Sequence, residues 1–153
     1  FPAALGAKLG KPDKNVLVIT GDGGFQMNLQ ELTTAVIEKI PVIICILNNG
    51  CLGNVRQWQE MFFEKRYSYT NLTNDSGSYV PDFVKFAESY GVTGIRVTRE
   101  EEIDEAFIKA NKVKDRPVLL EFIIDNTQNV LPIVPPGKSL KEMISTQEKE
   151  ESK

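Results

Sequence analysis

Two short polar stretches carry oxygen atoms that could bind a divalent cation together with a phosphorylated ligand. GDGG (residues 21–24) follows the apolar run VLVIT, and NNG (residues 48–50) follows the apolar run VIICIL. Asp22 offers a carboxylate oxygen, Asn49 offers an amide oxygen, and the peptide carbonyls just after Asn49 offer a third ligand. Mg²⁺ takes oxygen ligands of this kind when phosphates and water complete its octahedral shell. Glycines beside Asp22 would let backbone N–H groups approach a diphosphate, so one site could hold both.

The apolar runs before these stretches predict two neighbouring parallel strands, at about residues 15–20 and 42–47. The segment between them is long enough for one crossover helix, which gives a βαβ unit. The carboxyl ends of neighbouring parallel strands lie at the same edge of the sheet, where open α/β sheets bind ligands. The crossover helix is predicted to begin at Asn28, which would cap it together with Glu31. Its buried face is expected to comprise Leu29, Leu32, Ala35 and Val36.

Asn49-Gly50 is also the commonest hairpin-turn dipeptide, so a β-hairpin is an alternative at this point. The apolar residues that follow recur every three or four positions, which is helical spacing. They are Leu52, Val55, Trp58 and Phe62. A helix from about residue 52 to 64 is therefore favoured over a hairpin, and on this stripe alone Trp58 would be a core residue.

The rest of the sequence continues the alternation of helices and strands. Further elements are predicted at residues 2–10 (helix), 82–91 (helix capped by Asp82 and stopped by Gly91), 94–97 (strand), 100–113 (helix) and 118–124 (strand). A long polar loop separates the first half from the second, at residues 67–81. The predicted fold is a doubly wound α/β sheet of parallel strands, with one domain over residues 1–144. Residues 145–153 form a charged tail that we expect to be disordered or a frayed helix.

Composition excludes several classes of function. A chain of 153 residues fits one domain, and 41% hydrophobic with 25% charged residues is typical of a soluble globular protein. The net charge of −3 argues against nucleic acid as a partner, and no apolar run reaches the roughly 18 residues of a membrane helix. The absence of histidine excludes imidazole metal sites and Ser-His or Cys-His pairs within the chain. Cys45 and Cys51 form neither a disulfide framework nor a zinc site, which suits a reducing cytoplasm.

The spacing of the two polar stretches resembles the GDG...NN signature of thiamine diphosphate enzymes, since 24 residues separate GDG from NN. In that family the aspartate and the second asparagine hold the Mg²⁺ that anchors the diphosphate of the cofactor. Three longer segments resemble the carboxyl-terminal domain of the acetohydroxyacid (acetolactate) synthases. They are NNGCLGNVRQWQEMFFEKRYS, PDFVKFAESYGVTGIRV and VLPIVPPGKSLKEMI. The resemblance covers residues 1 to about 144, and it implies the thiamine diphosphate-binding fold.

The resemblance also implies the residues of the site. The metal ligands would be Asp22, Asn49 and the main-chain carbonyl of Cys51. The residues that bind the cofactor would be Gly21, Asp22, Gly23, Gly24, Asn49, Cys51, Leu52, Gly53 and Asn54. Asn54 departs from the methionine or leucine of most relatives, which bears on the substrate environment. Trp58 would line the channel to the active site. No catalytic residue is assigned within the chain, because the activating glutamate in this family comes from the amino-terminal domain of a partner subunit.

The activity implied by the resemblance is a transferase reaction that condenses pyruvate with a second 2-oxo acid, in branched-chain amino acid biosynthesis. The partners implied are a second copy in a homodimer or larger oligomer and a regulatory subunit. The chain opens inside a helix, so we expect a fragment that lacks at least one amino-terminal strand of the sheet and is inactive alone. Alternatives are a sister thiamine enzyme (glyoxylate carboligase or a 2-oxo acid decarboxylase), a non-catalytic Rossmann-type nucleotide-binding or interaction domain, and a structural subunit.

Overall fold

The computed structural model describes residues 1–77 and 81–145. Its helices are α1 (Pro2–Gly10), α2 (Asp22–Gln26), α3 (Leu32–Ile37), α4 (Gly53–Phe62), α5 (Phe83–Ser89) and α6 (Ile103–Lys112). Its strands are β1 (Leu17–Gly21), β2 (Ile43–Asn48), β3 (Thr93–Val97) and β4 (Val118–Ile123). Short 3-10 turns cover Leu29–Glu31, Glu100–Glu102 and Leu140–Glu142. The predicted tail spans residues 145–153, and of these only Ser145 lies among the described residues.

The four strands form one sheet in the order β1-β2-β4-β3, and every neighbouring pair is parallel. Ile19 pairs with Cys45, which in turn pairs with Leu120. Strand β2 therefore lies inside the sheet, as its apolar residues on both faces predict. The predicted parallel α/β sheet is confirmed, with strand bounds within about two residues of those expected.

Apolar side chains pack on both faces of the sheet, as in a doubly wound fold. The larger cluster includes Phe25, Leu32, Ile44 and Phe83 and lies under α2, α3 and α5. Leu32 and Ile44 are fully buried, and burial of each such side chain contributes about 1.5–3 kcal/mol. The smaller cluster joins β3 and β4 to α6 on the opposite face.

The β1 edge of the sheet is less well covered than the β3 edge. Leu17 on β1 is 43% exposed and Ile19 is 66% exposed, and Leu47 on β2 is 38% exposed. Because side chains alternate along a strand, these three residues share the face on which α6 packs against β3 and β4. The part of the chain that the structure describes leaves this apolar patch open to solvent.

The start of the crossover helix differs from the prediction. Helix α2 begins at Asp22, directly after β1, and the Asn28 side chain makes no capping hydrogen bond. The Glu31 carboxylate instead accepts a hydrogen bond from Thr34 Oγ1 (3.0 Å). A short helix can form in this glycine-rich stretch because Phe25, 1% exposed, anchors it in the core. Of the predicted face, Leu32 and Ala35 are buried and Leu29 and Val36 are half-buried.

The helix after the second polar stretch is confirmed, but its apolar stripe is not a core face. Val55 is 48% exposed and Phe62 is 40% exposed, whereas Gln57 is buried. Trp58 is half-buried, belongs to neither apolar cluster and contacts the Phe62 ring edge-on with centroids 5.9 Å apart. Among residues 1–77 and 81–145, no helix is long and apolar enough to cross a membrane.

Candidate metal and diphosphate site

The carboxyl ends of β1, β2 and β4 border a cavity of about 830 Å³. Asp22 follows β1, Asn49 follows β2, and Asp125 lies two residues after β4, so the parallel sheet brings all three to one edge. The nine residues expected to bind a cofactor all line this cavity. Trp58 is not among the described residues that line it. The structure therefore brings together every residue of the predicted set except the tryptophan.

Asp22 is only 4% exposed and lies next to the turn that carries Asn49. Desolvation by burial raises the pKa of the Asp22 carboxyl, while the backbone amides of Gly23 and Gly50 favour the carboxylate and act in the opposite direction. Because the Gly50 amide acts on the Asp22 carboxylate, the turn at residues 48–50 lies next to Asp22 in space. A carboxylate and an amide oxygen can thus act on one ligand here.

The turn after β2 is held by its own side chains. Asn48 Oδ1 accepts a hydrogen bond from Gly50 N (3.0 Å), and Asn49 Oδ1 accepts one from Cys51 N (3.1 Å). Gly50 has a φ of 65°, a left-handed conformation that glycine adopts without strain. The loop at residues 70–72 pairs with this turn, since Leu52 N donates to Thr70 O (2.8 Å) and Leu72 N donates to Gly50 O (2.7 Å).

Two glycines leave room for side chains that pack closely around the turn. A Cβ atom on Gly53 would lie 2.7 Å from Asn49 Nδ2, and a Cβ atom on Gly23 would lie 2.6 Å from Leu52 Cδ2. Gly53 is also the first residue of α4, and the apolar Leu52 at its N-cap cannot cap the helix with a side-chain hydrogen bond. The first N–H groups of α4 are donors that an anion could use.

Cys51 has a buried thiol beside Asp22. Burial raises the pKa of the Cys51 thiol, the negative charge of Asp22 raises it further, and Arg56 acts in the opposite direction. The thiol is therefore protonated at neutral pH, which makes its sulfur a poor ligand for a hard cation. The backbone of Cys51 forms an isolated antiparallel β-bridge with Asn71.

The oxygen donors fit Mg²⁺ that is shared with a phosphorylated ligand. Asp22, Asn49 and a backbone carbonyl are hard donors, and they fill only part of an octahedral shell. No cluster of three or more His, Cys, Asp or Glu side chains suited to a metal occurs within the described ranges. A metal at this edge would therefore need oxygen atoms from the ligand and from water.

Sequence reasoning missed a buried contact beside the cavity. Gln57 is 3% exposed, and its amide donates to Val130 O (2.9 Å) and accepts from Val130 N (3.0 Å). These bonds fasten α4 to the segment after β4, which also lines the cavity. Asp125 was missed as well, although it comes after its strand in much the same way as Asp22, and the same strand-end rule could have found it.

A second cavity of about 510 Å³ lies at the opposite end of the sheet. It borders the segments before β1 and β2, and Lys8, Lys39 and Arg116 are among its lining residues. Lys8 Nζ donates to Pro12 O and Lys14 O, both at 2.7 Å, so this cation already serves the chain itself. Ligands of open α/β sheets bind at the carboxyl ends of the strands, which favours the larger cavity.

Comparison with known proteins identifies the family of this chain. The family model "Thiamine pyrophosphate enzyme, C-terminal TPP binding domain" matches residues 1–122; thiamine pyrophosphate is another name for thiamine diphosphate. The acetolactate synthase large subunit of Corynebacterium glutamicum is 54% identical over 138 residues, which are 90% of this chain and 22% of the relative. The acetolactate synthase isozyme 2 large subunit of Escherichia coli is 44% identical over 94% of this chain and 25% of the relative.

A solved structure is similar as well. The thiamine diphosphate-dependent 4-hydroxybenzoylformate decarboxylase of Rhodococcus jostii RHA1 matches with a TM-score of 0.72 and 35% sequence identity, over 82% of this chain and 22% of that chain. The chain spans about a quarter of the length of the curated relatives that it matches. The Rossmann-type alternative is wrong, because both the family match and the structural match are to thiamine enzymes. This chain belongs to the thiamine pyrophosphate enzymes, as a member of the family of their C-terminal TPP-binding domains.

Proposed function

We propose that this chain is the part of an acetolactate synthase catalytic subunit that binds the diphosphate of thiamine diphosphate through Mg²⁺. The observation that carries the proposal is the meeting of Asp22 with the 48–51 turn at the carboxyl edge of the sheet. The acetolactate synthase names of relatives at 41–54% identity support the choice of enzyme. The full-length protein would condense pyruvate with a second 2-oxo acid.

The metal would be held by Asp22, Asn49 and the main-chain carbonyl of Cys51, with phosphate oxygens completing the shell. Asn49 is positioned for this role by its own bond to Cys51 N and by the lack of a side chain at Gly53. The diphosphate would accept hydrogen bonds from the N–H groups at the start of α4. The bound cofactor would supply a thiazolium ring that serves as an electron sink.

In this proposal the residues of this chain hold and orient the cofactor, and the acid-base step is assigned to none of them. The chain has no histidine, and Asp22 is committed to the metal in this scheme. A glutamate from a partner subunit would complete the active site, so we propose a homodimer or larger oligomer, with a regulatory subunit as a further partner. Both cysteines are free thiols, which supports a cytoplasmic location.

A thiamine-dependent 2-oxo acid decarboxylase is the second candidate. The similar solved structure is a decarboxylase, and Asn54, which departs from the usual methionine or leucine, is one of the residues that line the cavity. Incubating the full-length protein with pyruvate separates the two functions. Acetolactate as the product supports the synthase, whereas acetaldehyde alone supports the decarboxylase.

The metal site is tested by calorimetry on the full-length protein after removal of bound metal. We expect thiamine diphosphate to bind only when Mg²⁺ is added, and this binding to weaken at least tenfold in Asp22→Asn and Asn49→Ala. Asp125→Asn is the matched control, because it neutralises a carboxylate at the same edge to which no ligand role is assigned. Metal-independent binding, or equal losses in all three variants, would contradict the assignment.

A further inference from the structure

A network of hydrogen-bonded charged and polar side chains runs from the core below the 48–51 turn to the surface. Glu121 on β4 is 0% exposed, and its Oε1 accepts a hydrogen bond from Asn48 Nδ2 (2.7 Å). Its Oε2 accepts one from Arg96 Nε (2.7 Å), and Arg96 Nη2 donates to Asp82 Oδ1 (2.7 Å). These hydrogen bonds thus connect the 48–51 turn to Asp82, the N-cap residue of α5.

Glu121 selects the orientation of the Asn48 amide. A carboxylate only accepts hydrogen bonds, so the NH₂ group of Asn48 must face it. Asn48 Oδ1 then faces the opposite way, where it accepts from Gly50 N (3.0 Å). Gly50 N is also the amide that lies close to the Asp22 carboxylate. The buried glutamate is therefore two hydrogen bonds away from the turn that presents Asn49 and Cys51.

A purely structural role does not account well for a wholly buried glutamate. Burial of a charge costs several kcal/mol, and apolar residues of similar volume often replace buried ion pairs with no loss of stability. The Arg96 side chain is 40% exposed and pairs with Asp82 near the surface, so water and Asp82 stabilise its charge without Glu121. Glu121 adds a negative charge that reaches the Asp22 carboxylate, and it adds a fixed acceptor for Asn48, which Asn48→Ala removes while the charge stays.

We propose that Glu121 is a positioning residue for the metal site, and that its carboxylate acts through Asn48 to hold the 48–51 turn where Asn49 and Cys51 can bind the cation. This inference rests on the proposed function of the site. Partners that orient metal ligands in this way typically change metal affinity about 10- to 100-fold when they are replaced.

The test uses the full-length protein after removal of metal, with thiamine diphosphate binding measured by calorimetry at graded Mg²⁺ concentrations. In Glu121→Gln the new NH₂ group must face either Asn48 Nδ2 or Arg96 Nε, and both are donors. We expect the Mg²⁺ concentration for half-maximal binding to rise at least tenfold, with binding restored at high Mg²⁺. Asp82→Asn is the control: it keeps an N-cap acceptor for α5 but weakens the outer ion pair, so its Mg²⁺ dependence should stay within threefold of wild type.

Asn48→Ala provides a second route, because it removes the link while leaving Glu121 paired with Arg96. It should produce the same shift, and the double variant should be no worse than either single variant if both act through one bond. If Glu121→Gln does not fold, Glu121→Met takes its place, because it removes the acceptor for Asn48 without leaving a buried charge, whereas Asn48→Ala also removes the acceptor of Gly50 N. An unchanged Mg²⁺ dependence in Asn48→Ala or in folded Glu121→Gln overturns the positioning role, provided that Asp22→Asn still weakens binding. If Asp22→Asn also has no effect, the proposed metal site itself is wrong.

Discussion

Replacing Gly53 with alanine should separate cofactor binding from folding stability. The added methyl carbon would lie 2.7 Å from Asn49 Nδ2, which is closer than real Cβ contacts come. The atom it meets is the end of a short side chain, so Asn49 can rotate away without movement of the backbone. That rotation removes the ligand oxygen from the place where the 3.1 Å bond to Cys51 N now holds it.

Two opposing effects of Gly53→Ala on folding stability should nearly cancel. Loss of the Asn49 hydrogen bond costs about 0.5–1.5 kcal/mol, while replacing glycine with alanine stabilises the fold by about 0.4–1 kcal/mol because the unfolded chain loses conformational entropy. We therefore expect the free energy of unfolding to change by less than about 1 kcal/mol. Mg²⁺-dependent binding of thiamine diphosphate should nevertheless weaken by about 10- to 100-fold, because Asn49 is displaced as a ligand.

Thermal unfolding and calorimetry on the full-length protein measure the two effects separately. Gly6→Ala is the matched control, since Gly6 lies inside α1 and a Cβ atom there meets nothing within 4 Å. It should raise stability by about 0.5–1 kcal/mol through helix propensity and leave binding unchanged. Wild-type Mg²⁺ affinity in Gly53→Ala would refute the placement of Asn49 at the metal.

Three further predictions concern other parts of the chain. Gln57→Leu removes two buried hydrogen bonds to Val130, so amide exchange at Val130 should accelerate; unchanged exchange would mean that other contacts hold this segment. Burial raises the pKa of the Cys45 thiol to about 11, so iodoacetamide at pH 8 should label it only after unfolding in urea, as peptide mass spectrometry would show. Hydrogen bonds from the backbone of Thr98 and from Arg99 lower the pKa of Glu102 from 4.5 to about 2, so its charge stabilises the fold above pH 4.5 and this contribution is lost as the pH falls towards 2. Glu102→Gln should therefore lower the melting temperature at pH 7 but not at pH 2, and an equal difference at both pH values would exclude a charge effect.

The positions of the strands, and the position of the site residues at one edge of the sheet, could be predicted because both depend on local sequence patterns. Runs that are apolar on both faces belong to inner parallel strands, and the polar residues after such strands must lie at one edge. The N-cap at Asp82 was also predictable from sequence: its Oδ1 accepts from Lys85 N (3.2 Å). Gly91, predicted to stop the same helix, has a φ of 69°.

The features that could not be predicted depend on contacts between residues that are far apart in the sequence. Gln57 is buried because Val130, 73 positions away, satisfies its amide. Glu121 lies in an otherwise apolar strand because Asn48 and Arg96 reach it from two neighbouring strands. The early start of α2 is a similar case, since the packing of Phe25 outweighs the low helix propensity of the glycines.

The exposed β1 edge bears on how this chain behaves when it is made alone. Among residues 1–77 and 81–145 no strand pairs with the outer edge of β1, and Leu17 and Ile19 on this strand are exposed, so β1 is a template for pairing with another molecule. Self-association, rather than loss of the internal fold, should therefore limit the solubility of the 153-residue polypeptide and should worsen with protein concentration.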